Sequence, residues 1–348
     1  MRTFLADNIN DLDGRQWDQL AALSPTRSVF QSFGWHQAWW ETFSENKKLF
    51  LICIEENGKL CGVAPLFLSF KGRRRVLKFI GSGNSDYCDF IYFDDRPEIL
   101  AKMLDFLVIN KDRWDQAVLD YIPQKSPTVV QLSSAFSLHQ LYPYAYSRIV
   151  CPVLLVDSDG KNISEILQKK ILKRRYNYFF KKEGYEVLHL TREEEILPCL
   201  NEFFEQHIRR RGRTASPSLF LNQTNREFYK NLLTRLCPHK QIIFSVIKSG
   251  GQAIAFHFGF INYKIFLWYK PSFEITHASH SPGMVLIKEI LEYVLSQGIR
   301  EVDFTIGKEP FKMDFANYMR ENFSFKIYKT SWDYRLGKAL GAVKRTMS

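Results

Sequence analysis

The sequence has no apolar run near the roughly 20 residues that a membrane-crossing helix needs. Its first residues, Met1-Arg2-Thr3-Phe4-Leu5-Ala6-Asp7, lack the apolar core of a secretion signal. The expectation is a cytoplasmic protein, with membrane contact at most peripheral to the inner face. Six cysteines, at 53, 61, 88, 151, 199 and 237, include no CxxC pair and no His/Cys spacing of a zinc site. No metal is expected, and the thiols read as small buried hydrophobes. No recognised nucleic-acid-binding motif is present. Acidic residues are in deficit: 37 Asp and Glu face 48 Lys and Arg, a net charge of +11. That excess favours an anionic partner, whether a phosphorylated cofactor, a nucleic acid, a lipid head group or an acidic glycan.

What is present is enough apolar chain to fold. Hydrophobic residues make up 45% and charged residues 24% of 348, a length that suits two domains better than one core. Helical spacing marks Asp13–Leu23, and Ser32 reads as the N-cap of a helix over Phe33–Phe43. Leu49–Glu56 and Lys59–Phe70 read as strands joined by the hairpin signal Asn57-Gly58. Arg73–Ile80 and Tyr87–Phe93 extend the sheet, Pro97 opens a helix, and Trp114–Ile122 returns as a strand. After Cys151-Pro152, a long helix is expected over Ile163–Lys182, with Ile163, Ile166, Leu167 and Ile171 on one side and Lys169, Lys170, Lys173, Arg174, Arg175, Lys181 and Lys182 outside. Helices over Glu194–Arg211 and Asn225–Cys237 follow. Three strands come next, Gln241–Lys248, Gln252–Phe260 and Lys264–Tyr269, then a helix over Met284–Gln297 and strands at Glu301–Phe304 and Phe323–Lys329.

The two halves share an element order, and short segments also match. Gly58-Lys59-Leu60-Cys61-Gly62-Val63-Ala64 parallels Gly251-Gln252-Ala253-Ile254-Ala255-Phe256-His257, and Leu119-Asp120-Tyr121 parallels Val302-Asp303-Phe304. A duplicated domain accounts for the length, with expected limits of 1–150 and 151–348, the second opening on a basic helix over 161–183.

The stretch Ser279–Lys312 concentrates the chemistry. Ser281-Pro282-Gly283 suits a helix start, with Ser as cap and Pro at the first helical position, and Gly283 would let a phosphate approach the backbone. His277 and His280 precede it as hydrogen-bond donors. Asp303 ends a short apolar strand, where a carboxylate is exposed or partnered, for example by Lys308 or a loop N–H. Lys308, Glu309 and Lys312 follow in one charged loop. His257 faces opposite to Phe256 and Phe258 and is either a core histidine or a proton acceptor for an attacking amine or hydroxyl. Asp86, Tyr87 and Asp89 are candidates to reach a cleft between the halves and bind a polar acceptor. Arg174 and Arg175, like Arg209-Arg210-Arg211 with Arg213, are solvated faces or phosphate ligands.

The ordered set Phe30-Gln31-Ser32-Phe33-Gly34-Trp35 with Ala38-Trp39, Gly62-Val63-Ala64-Pro65-Leu66, Ser85-Asp86-Tyr87 with Asp89, Cys151-Pro152, Ser281-Pro282-Gly283 and Asp303-Phe304…Gly307-Lys308-Glu309-Pro310-Phe311-Lys312 resembles the GNAT acyltransferases. The closer likeness is to the tandem-GNAT, CelD/BcsL-like acetyltransferase group, which is related to the Fem peptidyltransferases. The resemblance implies an α/β (α+β) fold of two GNAT-like domains, each a mixed, largely antiparallel sheet flanked by helices, the first degenerate. It implies acyl transfer, acetyl in the first instance, from acyl-CoA (acetyl-CoA) without a metal. The acceptor would be an amine or hydroxyl of a sugar or envelope-polysaccharide precursor, lipid-linked or nucleotide-linked acceptors included. Lys312 matches the lysine that Fem relatives use to stabilise transition-state charge. Trp268 and Tyr269 lie where a GNAT strand splays and offers a backbone N–H to the thioester oxygen. His280, Ser281, Pro282, Gly283 and Met284 would hold the donor, with Asp303, Lys312, His257 and Glu309 as catalytic candidates and Lys308 on the substrate. Where the GNAT loop has two small residues after its Arg or Gln, His277–Gly283 has one glycine. That departure leaves room for a Fem-like aminoacyl-tRNA donor, and a non-catalytic glycan- or anionic-lipid-binding protein is the third reading.

Overall fold

The computed structural model describes residues 1–157, 161–182, 184–212, 214 and 216–346. Residues cluster into two compact units, one of Met1–Val150 with Arg320–Ser348 and one of Cys151–Met319. Residues 320–348 therefore group with the first unit, although the sequence places them in a 151–348 domain.

In chain order the first unit holds β1 (Arg2–Ala6), α1 (Gly14–Ala22), α2 (Phe33–Phe43), β2 (Lys47–Leu49), β3 (Leu51–Glu56), β4 (Lys59–Ala64), β5 (Leu66–Lys71), β6 (Arg74–Phe79), β7 (Ile91–Tyr92), α3 (Pro97–Ile109), β8 (Gln116–Pro123), α4 (Thr128–Leu138) and most of β9 (Tyr142–Leu155). The second unit runs through α5 (Lys161–Leu167), α6 (Lys170–Phe180), β10 (Glu186–Leu190), α7 (Glu193–Ile196), α8 (Leu200–Arg211), α9 (Gln223–Leu236), β11 (Ile242–Ser249), β12 (Gln252–Asn262), β13 (Ile265–Phe273), α10 (Pro282–Ser296), β14 (Glu301–Asp303) and α11 (Pro310–Phe315). The chain then returns to the first unit with β15 (Tyr318–Tyr328) and α12 (Ser331–Thr346).

Local chemistry explains the elements. Asp13 caps α1 by accepting the Arg15 N–H at 2.8 Å, and Ser32 caps α2 by accepting from Trp35 at 3.3 Å. Asn57 and Gly58 turn the β3–β4 hairpin at φ 52° and 73°, and Gly250 and Gly251 turn β11–β12 at 60° and 76°. Each unit repeats one motif, in which an antiparallel strand leads through a helix to a parallel neighbour. In the first unit this is β6–α3–β8 and in the second β13–α10–β14. All other ladders described in either unit are antiparallel. The second unit's strand order is β10-β11-β12-β13-β14, ending on the Val153–Leu155 part of β9. Its core packs α10, through Val285, Leu286, Ile290 and Val294, against Ile243, Ile247, Phe266 and Trp268 of the sheet. Burying each such side chain is worth about 1.5–3 kcal/mol.

Several expectations need correction. Pro65 has no N–H to give a ladder, so the strand expected over Lys59–Phe70 splits into β4 and β5, in different sheets. Tyr87–Phe93 is strand only at Ile91–Tyr92, because Asp89 turns inward. The Ile163–Lys182 helix breaks at Gln168-Lys169, where Lys169 is extended (ψ 125°). The buried side of α6 is Leu172 and Phe179, and Ile171 is 49% exposed. Pro198 sits in a tight turn that separates α7 from α8. The loop expected to carry Lys312 is helical from Pro310. The parallel ladder ends at Lys78–Val118 in one unit and at Leu267–Asp303 in the other. Arg213 and residue 183 of the expected basic helix lie outside the described residues.

Candidate active site

The second unit opens where its parallel ladder stops. β13 and β14 pair only from Ile265–Glu301 to Leu267–Asp303. Beyond that pair, Thr305 bridges the two strands, its hydroxyl donating to the Trp268 carbonyl at 3.2 Å. Thr305 is buried and has φ 57°, a left-handed conformation that a β-branched residue rarely adopts. Asp303 holds it there: Oδ1 accepts the Thr305 N–H at 2.7 Å. Of the two partners expected for Asp303, the carboxylate has a loop N–H. Strain fixed by a buried carboxylate is the kind of feature that collects at functional sites.

Lys312 follows on α11. It is 5% exposed, and its Nζ donates to the Ile306 carbonyl at 2.7 Å and lies 3.0 Å from the Glu309 carboxylate. An ammonium has three N–H groups, so two committed bonds leave one without a partner among the described residues. The neighbouring Phe311 ring stands 6.2 Å from that of Trp268, which places this turn beside the strand opening. Lys308 is exposed, whereas Lys312 is locked in place.

His257 is fully buried on the α10 side of the sheet, stacked on Trp268 at 4.2 Å. Phe256 and Phe258 face Phe203 of α8 instead. Nε2 of His257 accepts the Tyr269 N–H at 3.2 Å, so the ring's basic lone pair is committed. Burial pushes its pKa down to about 3. This is the geometry of a neutral positioning group, and a proton acceptor for substrate is not what it resembles. The same bond takes the Tyr269 N–H, in the stretch expected to offer a backbone N–H to a thioester oxygen. His257 Nδ1 and Trp268 Nε1 are buried with no partner among the described residues. The β12 bulge makes room for this ring. A Cβ on Gly259 would fall 2.3 Å from His257 Cε1 and 3.0 Å from the Leu267 carbonyl.

The start of α10 differs from a glycine-rich anion loop. Ser281 is left-handed (φ 55°) and its side chain makes no cap bond, contrary to the expected Ser cap. Pro282 has no N–H, and Met284's turns back to the Ser281 carbonyl at 3.0 Å. Gly283 therefore supplies the first uncommitted N–H. A Cβ at Gly283 would meet only Phe273, at an ordinary 3.5 Å, so packing does not demand glycine there. His280 stacks flat on Tyr178 of α6, 3.6 Å away. Arg174 is exposed and Arg175 half-buried on α6. Arg209 pairs with Glu274 at 2.9 Å. Arg210 is not the solvated residue expected: it donates to the Pro271 carbonyl at 2.7 Å and covers the Phe273 ring, and burial lowers its pKa to about 10.

In the first unit, Asp89 is not a reaching loop residue. Its carboxylate is buried and accepts from Thr26 at 2.8 Å, Thr128 at 2.7 Å and the Phe90 N–H at 2.9 Å, and burial raises its pKa. Asp86 and Tyr87 are also buried. Asp86 gives its carbonyl to Asn322 Nδ2 at 2.9 Å. Around it lies a cluster that sequence reasoning did not gather: Asp120 accepts from Tyr146, Ser324 from the Tyr121 N–H at 3.2 Å, and Tyr121 has φ 60°. Asn322 Oδ1 is buried without a partner among the described residues. Burial, then Asp120, pushes the Tyr146 hydroxyl's pKa up. Among the described residues no cluster of His, Cys, Asp or Glu could hold a metal ion, and no helix is long and apolar enough to cross a membrane.

The fold has known counterparts. Residues 168–313 match the family model of the acetyltransferase (GNAT) domain. That match spans less than half of the chain. FemX is similar in fold over 97% of this chain and 99% of its own, with a TM-score of 0.68 at 10% identity. L-PGS from Bacillus licheniformis matches over 94% of this chain and 95% of its own, with a TM-score of 0.57 at 12% identity. A tandem GNAT protein from the clavulanic acid biosynthesis pathway matches over 94% and 97%, with a TM-score of 0.50 at 14% identity. At such identities the likeness is one of fold alone. No curated protein matches it in sequence.

Proposed function

We propose that the protein transfers an acyl group, acetyl in the first instance, from acyl-CoA to an amine or hydroxyl of a sugar or envelope-polysaccharide precursor. The observation that carries this reading is Lys312: a buried ammonium, held by the Ile306 carbonyl and Glu309 beside the opened strands, with one N–H left without a partner among the described residues. A preorganised cation of this kind stabilises oxyanion charge without reorganising. The donor supplies an activated carbonyl. Asp303 and Thr305 fix the strand opening. Attack is direct, with alignment and charge stabilisation as the sources of rate.

A second reading, an aminoacyl-tRNA donor, is favoured by the α10 start, which offers a pyrophosphate fewer free N–H groups than a glycine-rich loop does. Thermal-shift titration with acetyl-CoA, longer acyl-CoAs and tRNA separates the two. Stabilisation by a CoA ester and product formation with an amino sugar support the first reading. A salt-sensitive shift with tRNA alone overturns it.

A further inference from the structure

A different side of α10 from the one packed on the sheet carries Lys288 and Glu292. Helices α5 and α6 lie against that side but do not close on it. They leave a recess of about 440 Å³, with Gln168, Lys173, Tyr176, Asn177, Lys288 and Glu292 in its lining. Small-molecule pockets span roughly 300–1,000 Å³, so the recess is of ligand size. The proposed reaction does not use it. None of these residues belongs to the strand opening, the Lys312 turn or the start of α10.

The inner wall is built around Lys288, which is only 7% exposed. Its Nζ lies 3.8 Å from the centre of the Tyr176 ring, bonds Glu292 at 2.7 Å and stands 3.7 Å from Glu289. Tyr185 holds Glu289 in turn, its hydroxyl donating at 2.8 Å, and the Tyr176 ring stacks on Phe180 with centroids 5.1 Å apart. The ammonium is thus fixed by an aromatic face and two carboxylates. Even with both carboxylates served, one of its three N–H groups has no partner among the described residues. A buried ion pair between helices adds little stability over an apolar contact of the same size, so stability alone does not account for a lysine at this place.

The outer edge is also polar. Lys173 is exposed and its Nζ donates to the Gln168 side chain, while Asn177 follows one helical turn later. The lining therefore sets two ammonium groups against one carboxylate, with two side-chain amides beside them. Lys170 and Arg174, exposed on the same helix, add positive field at the entrance. A positive recess with a fixed, buried N–H donor on its inner wall suits a group of negatively charged oxygens.

We propose that this recess binds a small molecule through a compact oxyanion group, a phosphate or a carboxylate, seated between Lys288 and Lys173. The proposal goes beyond the transferase reading and stands whether or not that reading does.

The test is isothermal titration of the full chain with inorganic phosphate, glycerol 3-phosphate and citrate, in a buffer free of other multivalent anions. Saturable binding of glycerol 3-phosphate or of citrate is expected, and the tighter of the two tells phosphate from carboxylate. Lys288→Met and, separately, Lys173→Glu at its exposed site should each weaken binding about tenfold or more, since each removes a charge-assisted bond. Glu292→Gln should do the opposite. It frees Lys288 and removes a negative charge from the wall, and a damaged fold does not produce a gain in affinity. Amide exchange over residues 164–177 should slow when the anion is bound. Three results overturn the proposal: no saturable binding of any of the three anions, binding that Lys288→Met and Lys173→Glu leave unchanged, or weaker binding by Glu292→Gln.

Discussion

Replacing Asp303 by asparagine and by alanine separates two roles that its place at the end of β14 would allow. The carboxylate accepts the Thr305 N–H at 2.7 Å and so holds a β-branched residue at φ 57°. A left-handed non-glycine residue costs about 1–2 kcal/mol, and a hydrogen bond to a charged group returns about 1.5–3 kcal/mol. Alanine removes the bond and frees Thr305 to relax, so Asp303→Ala should destabilise by about 1.5–3 kcal/mol. For a unit of this size that is a fall in Tm of about 3–12 °C. Asparagine keeps an acceptor at the same place, so Asp303→Asn should lose about 1 kcal/mol and retain most activity. Urea denaturation and kcat/KM on the same preparations measure both effects. If Asp303→Asn is as stable as wild type yet as inactive as Asp303→Ala, the carboxylate takes part in the chemistry and the positioning role is wrong.

Further outcomes follow from the same geometry. Gly259→Ala should destabilise by about 1–3 kcal/mol, because its Cβ meets both the His257 ring and the Leu267 carbonyl, and chemical denaturation reads this directly. Acid should weaken the protein through buried histidines: burial lowers His36 and His189 to about 4 and His207 and His257 to about 3. Their unfolded forms bind protons from about pH 6.5 downward while the folded forms do not, so their contribution is complete above that pH. It falls as pH drops towards the folded values, by up to about 1.4 kcal/mol per pH unit for each histidine. Three of the four lie in the second unit, so denaturation between about pH 7 and pH 5 should weaken it more than the first. A stability independent of pH in that range would contradict the neutral, bonded state of His257.

The elements written in local signals were legible in the sequence. Asp13 and Ser32 mark their caps, Asn57-Gly58 its hairpin, and the periodicity of α10 its core face. Proline effects were underread: Pro65 and Pro198 each divide a segment whose apolar pattern runs on unbroken. A two-unit α/β fold was legible through an ordered set of loose motifs rather than through any one of them. The site was legible as a region but not as a mechanism. Asp303 and Lys312 stand out as charges beside an apolar strand. That one holds Thr305 in a left-handed turn and the other rests on the Ile306 carbonyl depends on backbone angles that no spacing reveals. Asn322 and Ser324 meet Asp86 and Tyr121 from about two hundred residues away, and β15 carries no polar motif that would announce it. α12 lay beyond the last strand expected.

The most direct measurement is single-turnover transfer of a labelled acyl group from acetyl-CoA to a panel of amino sugars, by wild type and Lys312→Met. Methionine fills the same space without the ammonium. Wild type should form acylated product, and the variant should react about a hundredfold more slowly with donor affinity nearly unchanged, since the charge is needed in the transition state. Equal rates for the two proteins, or no transfer from any activated acyl donor, would contradict the account.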